Sequence, residues 1–228
     1  MKGKLIVIEG TDSSGKATQS QKLFDALKLE NENVRKVAYP NYDSPSSSLV
    51  KMYLGGEFGE NPDDVNGYTA SLFYAVDRFA SYTKEWKKFY EDGGWIVADR
   101  YTTANMVHQA SKISEGKKRK DFMEWLWDLE FVKLGLPVPD CVVFLDMPPD
   151  ISGRLMKDRN NKITGKKEKD IHEKDKDYLK KSYENAIEVA RDGGWIVVPC
   201  AENGKVRSID DIHSEILGLV EKIVGEEE

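Results

Sequence analysis

The chain has 228 residues, of which 39% are hydrophobic and 32% charged, and its formal net charge is -6. One α/β domain over residues 1–228 is expected at this length. The acidic balance argues against nucleic acid as a partner, and no apolar run approaches the roughly 20 residues that cross a bilayer. Two cysteines and three scattered histidines lack zinc-ligand spacing, so we expect a cytoplasmic protein with reduced thiols.

Short apolar segments alternate with helical patterns along the chain. The predicted strands cover residues 4–9, 34–39, 95–98 and 141–145, and DGGWIV at 192–197 opens a fifth. Helices are predicted at 15–30, 49–54, 68–91, 102–112 and 120–133, from Pro149 onward, and at 171–191 and 209–224. This alternation predicts a five-stranded parallel sheet with helices on both faces. Ligands of such sheets bind at the carboxyl ends of the strands.

The first predicted strand leads into a phosphate-binding motif. Residues 10–18 read GTDSSGKAT, which is G-x-x-x-x-G-K between a strand and a helix. In such a loop the backbone N–H groups surround phosphate, the lysine contacts the β- and γ-phosphates, and the helix N-terminus adds positive potential. The motif predicts a P-loop NTPase fold. Its ATP-binding residues are Gly10, Ser13, Ser14, Gly15, Lys16, Ala17 and Thr18.

One residue departs from this motif. The residue after the lysine is usually Ser or Thr, whose hydroxyl binds Mg²⁺, but here it is Ala17. Thr18 lies about 100° further round the helix and cannot replace that hydroxyl. Asp99, at the end of the third strand, is the candidate for holding Mg²⁺ or its waters. The adjacent Arg100 can make a forked contact with the phosphate of an acceptor.

With these residues the chain resembles the thymidylate kinase family over nearly its whole length. The motifs that carry the resemblance are GTDSSGKATQ at 10–19, YPNY at 39–42, LFYAVDR at 72–78 and DRYTTANMVHQ at 99–109. The resemblance implies an enzyme that transfers the γ-phosphoryl group of ATP to dTMP for dTTP biosynthesis. It also implies Mg²⁺ as cofactor and a homodimer.

The resemblance assigns the acceptor site residue by residue. Asp12 corresponds to an acid that contacts the deoxyribose 3′-hydroxyl, and Arg78 to an arginine that bonds thymine O4. Asn105 fits a position that reads the base edge in some members, and Gln109 lines the same pocket. An ion pair for Arg78 and a local cap for Asn105 remain alternatives.

Three aromatic residues complete the predicted acceptor site. Tyr74, four residues before Arg78 and so on the same helix face, falls where the family stacks an aromatic ring on the base. Phe73 competes for this role, and either ring could instead pack in the core. Tyr42 matches a residue near the acceptor phosphate. Many members have an arginine in this stretch and YPNY has none, so the phosphate contact depends more on Arg100.

The basic segment RLMKDRNNKITGKKEK at 154–169 is the third candidate region. It predicts a mobile lid at about 154–171 that closes over ATP, with a solvated charged loop as the alternative. Some members of the family have a catalytic arginine in the P-loop, where this chain has Ser13 and Ser14. The resemblance therefore assigns that arginine to the lid, as Arg159 or Arg154.

Phosphoryl transfer needs positioning and charge neutralisation rather than a covalent nucleophile. Catalysis is assigned to Lys16, Asp99, Arg100 and a lid arginine, and the stretch after the fifth strand, at 199–204, lies where the family holds adenine. Two alternatives stay open. One is a P-loop kinase for another (deoxy)nucleotide or a nucleoside, and the other is a nucleotide-binding protein that has lost catalysis, which Ala17 makes worth testing.

Overall fold

Five parallel strands form the central sheet in a computed structural model that describes residues 2–113, 116–155 and 170–225. The strands are β1 (Leu5–Gly10), β2 (Val34–Ala38), β3 (Trp95–Asp99), β4 (Cys141–Asp146) and β5 (Ile196–Pro199). They lie in the order β2-β3-β1-β4-β5. The sheet predicted from the sequence is confirmed, and β1 lies at its centre with its carboxyl end between those of β3 and β4.

Helices cover both faces of this sheet. They are α1 (Lys16–Glu30), α2 (Ser48–Leu54), α3 (Gly67–Ser81), α4 (Lys87–Glu91), α5 (Thr103–His108), α6 (Lys117–Trp127), α7 (Pro149–Leu155), α8 (Ile171–Lys174), α9 (Lys176–Asp192) and α10 (Ile209–Gly225). None of the helices in the described ranges is long and apolar enough to span a membrane.

Alternating side chains of β1 divide the apolar core between the two faces. Ile6 and Ile8 pack with residues of α1 and α10, whereas Leu5 and Val7 pack with Trp86 and its aromatic neighbours. All four β1 side chains are fully buried, as expected for a central strand of a parallel sheet. This burial on both faces places β1 inside the sheet and brings the loop that follows it to the carboxyl edge.

Three helices predicted as continuous are interrupted. The predicted helix 68–91 contains a π-helical segment at Tyr82–Trp86, and the predicted helix 120–133 ends in another at Asp128–Lys133. The predicted helix 171–191 is divided at Asp175, where the backbone is extended. The carboxylate of Asp175 caps α9 by accepting from Tyr178 N at 2.9 Å. A single π-turn is too short to change the apolar pattern of a long helix, so the sequence did not show the two π-helical segments.

Two smaller differences occur near the expected nucleotide edge. The predicted helix 102–112 ends at His108 and continues as a 3₁₀ turn at Ala110–Lys112. A two-stranded hairpin, β6 (Ala201–Glu202) and β7 (Lys205–Val206), follows β5 and was not predicted. Asn203 and Gly204 have φ of 51° and 74°, which suits a tight hairpin turn.

Candidate active site

The loop after β1 has the backbone of a phosphate-binding site. A Cβ on Gly10 would lie 2.6 Å from Ser14 Oγ, and Gly15 has a left-handed φ of 94°, so both positions favour glycine. Helix α1 begins directly after Gly15, which has no side chain to cap its first N–H groups. The buried hydroxyl oxygens of Thr11, Ser13 and Ser14 have no hydrogen-bond partner in the described part of the chain. An anionic ligand fits this set of donors.

Lys16 lies inside this loop. It is 7% exposed, and its Nζ donates to the carbonyl oxygen of Thr11 at 2.6 Å. Burial, followed by the positive charge of Arg100, lowers the pKa of Lys16 to about 7, although nearby carboxylates act in the opposite direction. Negative phosphates in the loop would favour the charged form of this lysine again.

The guanidinium of Arg100 lies where the P-loop meets β3. Nη1 donates to Glu9 Oε1 at 3.0 Å and to His108 Nε2 at 2.9 Å, and Nη2 donates to Asp12 Oδ1 at 2.7 Å. Because a guanidinium only donates, His108 must accept through an unprotonated Nε2. Burial and then the charge of Arg100 keep the pKa of His108 well below its usual value. Arg100 also has φ 67°, an uncommon conformation that concentrates at functional sites.

A cavity opens beside Arg100, between the P-loop, the turn after β2, α3 and α5. Its walls bring together seven residues predicted for the acceptor site: Asp12, Tyr42, Tyr74, Arg78, Arg100, Asn105 and Gln109. The cis peptide bond between Tyr39 and Pro40 forms part of the same wall. The structure therefore gathers residues from four separate motifs of the sequence around one space.

The two aromatic candidates on α3 have different surroundings. Tyr74 lines the cavity, and burial raises its pKa well above the usual value. Phe73 packs against Tyr53 and Phe58, with ring centroids 6.3 and 5.6 Å apart. Both rings pack against the same apolar cluster, but the described cavity lining includes Tyr74 and not Phe73. The stacking role therefore stays with Tyr74 as a prediction.

Arg78 combines the two arrangements considered for it in the sequence, a place in the acceptor cavity and an ion pair with an acid. It lines the cavity and also forms a buried ion pair, with Nε and Nη2 bonded to the carboxylate of Glu130 at 2.7 and 2.6 Å. Asn105, also in the lining, donates to the same carboxylate at 3.0 Å. Glu130 was not identified from the sequence, since it lies 52 residues from Arg78 in a segment predicted as ordinary helix.

Three polar residues that line the cavity were also not identified from the sequence: His108, Asp170 and His172. His172 Nε2 and Tyr53 Oη form a hydrogen bond of 2.8 Å. Burial, followed by the charge of Lys112, lowers the pKa of His172 to about 3. Asp170 has its pKa raised to about 7 by burial and then by Asp12. Asp170 caps α8, and D-x-x-E at 170–173 is a capping signature. His108 is three residues after Asn105, a spacing that places both on one helix face.

Asp99 fits a metal ion that arrives with its substrate. It ends β3, is 6% exposed, and its charge acts on Lys16. Within residues 2–113, 116–155 and 170–225 no group of three or more His, Cys, Asp or Glu side chains could hold a metal ion. Mg²⁺ is usually bound by one or two carboxylates plus substrate phosphates and waters. Ala17 and Thr18 are both exposed at the start of α1.

The structure describes Arg154 of the candidate lid. Arg154 is exposed on α7 and its Nη2 donates to the carbonyl oxygen of Gly204 in the hairpin at 3.4 Å. Arg159 lies outside the described residues, as does the rest of the basic segment from 156 to 169.

A P-loop lysine and a separate acceptor cavity thus meet at one half-buried arginine, Arg100. This arrangement defines a P-loop kinase, an enzyme that positions ATP and a small acceptor for phosphoryl transfer. The family model described as thymidylate kinase matches residues 8–216. The chain belongs to the thymidylate kinase family.

Individual relatives agree with this assignment. A thymidylate kinase of Plasmodium falciparum is 30% identical over 227 residues, which cover 100% of this chain and 94% of the relative. One from Mycobacterium tuberculosis is 29% identical over 198 residues, covering 85% and 90%. The solved thymidylate kinase structure from Candida albicans superimposes with a TM-score of 0.69 at 19% identity, covering 97% of this chain and 92% of that one. The predicted P-loop NTPase fold is thereby confirmed.

Proposed function

We propose that this member of the thymidylate kinase family phosphorylates dTMP to dTDP by holding two phosphate groups on either side of Arg100. Lys16 and the amides of the P-loop bind the β- and γ-phosphates of ATP, and Arg100 binds the phosphate of dTMP. The observation that carries this proposal is the position of Arg100, which contacts Asp12 of the P-loop and lines the acceptor cavity. The relatives named above are all thymidylate kinases, which favours dTMP over the alternatives.

The nucleoside of dTMP occupies the cavity next to Arg100. Tyr74 stacks on the base, Arg78 and Asn105 bond its edge, and Asp12 bonds the 3′-hydroxyl. Tyr42 and Gln109 line the same space. These assignments are supported by the gathering of the motif residues around one cavity.

Charge neutralisation is divided between residues and metal. Mg²⁺, when bound, would neutralise the β- and γ-phosphates, and Asp99 is the residue that would hold it or its waters. An arginine of the lid at 154–171, Arg159 or Arg154, meets the charge that develops on the transferred group. This lid belongs to the single domain proposed for residues 1–228.

The role of Arg100 is tested by Arg100→Lys in a coupled assay with ATP, Mg²⁺ and dTMP. The lysine keeps the positive charge but loses the fork that places the phosphate. We expect kcat/KM for dTMP to fall about 100-fold, because positioning carries much of the rate, with little change in the affinity for ATP. Arg191→Lys, at an exposed arginine of α9, is the control. An unchanged kcat/KM for dTMP would refute the assignment.

The second partner proposed is another copy of the same chain. Tyr68, Leu72, Val76 and Phe79 form an apolar stripe on α3, each between 40% and 51% exposed. A homodimer would cover this stripe, and Val76→Glu should then give monomers in sedimentation experiments. Leu29→Glu, on the exposed side of α1, should leave the assembly unchanged.

The free cysteines, Cys141 and Cys200, support the cytoplasmic location expected from the sequence.

A further inference from the structure

Glu130 connects two walls of the acceptor cavity. It lies in the π-helical segment after α6 and is fully buried. Its carboxylate bonds both Arg78 and Asn105, which line the cavity. We propose that Glu130 is a positioning residue that selects the base of the acceptor, because it fixes which hydrogen-bonding groups Asn105 and Arg78 present. This inference rests on the proposed binding of the acceptor base beside these two residues.

The chemistry of its neighbours orients the amide of Asn105. Nδ2 lies 3.0 Å from Glu130 Oε1 and 3.2 Å from the carbonyl oxygen of Ser71. A carboxylate and a carbonyl only accept, so the amide nitrogen with its two hydrogens must face them. Both hydrogens are then used within the protein. The group of this amide that remains for a ligand is its oxygen, which is an acceptor.

Arg78 presents the opposite kind of group. A guanidinium has five N–H donors and no acceptor, so whatever it offers to the cavity is a donor. Nε and Nη2 bond the two oxygens of Glu130, and Nη1 donates to the carbonyl oxygen of Tyr101 at 3.3 Å. Arg78 and Glu130 are 1% and 0% exposed. This paired, buried geometry prevents the guanidinium from turning away from the cavity wall.

One donor beside one acceptor matches the edge of thymine or uracil. These bases accept at the C4 carbonyl and donate at N3–H. Cytosine donates from its 4-amino group and accepts at N3, so it opposes both groups of the wall. A buried site that leaves such groups unpaired discriminates strongly against the wrong ligand. Glu130 therefore selects a 4-keto pyrimidine although it need not touch the base itself.

The experiment compares dTMP with 5-methyl-dCMP, which differs from it only at this edge. We expect the native enzyme to favour dTMP by at least about 100-fold in kcat/KM. In Glu130→Gln the new amide can donate as well as accept, so the carbonyl oxygen of Ser71 is the one acceptor of this pair that still holds the Asn105 nitrogen in place. The amide of Asn105 is then less strongly oriented and can turn to offer its hydrogens more easily. The preference should then fall by about 10-fold or more, while the preference for dTMP over dUMP stays the same because these two share the 4-keto edge.

Two comparisons separate positioning from loss of stability and from the function itself. Ile216→Val weakens the core on the other face of the sheet and should leave the dTMP to 5-methyl-dCMP ratio unchanged. If Glu130→Gln does not fold, Glu130→Asp serves instead, since its shorter carboxylate cannot reach both partners and should lower the ratio too. An unchanged ratio in a folded Glu130 variant, or native discrimination below about 10-fold, overturns the inference. Absence of dTMP turnover in the native enzyme would instead overturn the proposed function.

Discussion

Lys16 should take up a proton when ATP binds. Its pKa of about 7 in the ligand-free protein results mainly from burial. At this pKa about 0.1 of the lysine side chains are charged at pH 8 and about 0.9 at pH 6. Phosphate groups beside the ammonium raise its pKa, because an opposite charge favours the charged form. We therefore expect ATP binding to take up about 0.9 proton per protein at pH 8, and about 0.1 at pH 6.

Calorimetry measures this uptake directly. ATP is titrated without acceptor, at one pH, in two buffers with different ionisation enthalpies, and the difference in heat gives the number of protons. Lys16→Arg is the matched control, because arginine keeps the charge but does not release a proton in this pH range. The same uptake in native protein and Lys16→Arg, or an uptake in native protein that does not change between pH 6 and pH 8, would refute the assignment of the proton to Lys16.

Three further predictions concern metal and lid. Ala17→Ser should lower the Mg²⁺ concentration for half-maximal rate, since it restores a hydroxyl ligand. Asp99→Asn should raise that Mg²⁺ concentration. Its loss of activity relative to the native protein should be far larger than the gain that Ala17→Ser produces. If the native protein binds ATP without any transfer and Ala17→Ser restores transfer, the catalytic interpretation is wrong. Arg159→Ala or Arg154→Ala should lower kcat with little change in nucleotide affinity, because the charge that the arginine meets develops in the transition state. Full kcat in both variants would leave the segment 154–169 as a solvated loop.

Features that depend on neighbouring residues could be predicted from the sequence. Each central strand is a short apolar run, and the P-loop is a continuous motif whose strand and helix follow from the same few residues. Arg100 and Asn105 belong to one motif that begins where β3 ends, so the sequence predicted that both lie at the carboxyl edge of the sheet, beside the cavity. These predictions needed no knowledge of which distant segments meet.

Features that depend on distant pairing could not be predicted. Glu130 meets Arg78 across 52 residues, and His172 meets Tyr53 across 119. Glutamate and histidine also occur on ordinary solvated helices, so residue type alone does not distinguish Glu130 and His172 from surface residues. The π-helical segment that contains Glu130 is only six residues long, too short to change the apolar pattern of the helix before it, so the sequence did not show its different path.

The sheet order has a consequence for synthesis on the ribosome. β1 emerges first, yet its partners are residues 96–99 of β3 and 141–145 of β4. At cellular translation rates the last of these partners appears roughly 7 to 27 seconds after β1. Both edges of this apolar strand are unpaired until β3 emerges, and one edge stays unpaired until β4 follows, which favours association with other chains. We therefore expect the nascent chain to bind chaperones until β4 has left the ribosome, and the P-loop to form only after that point.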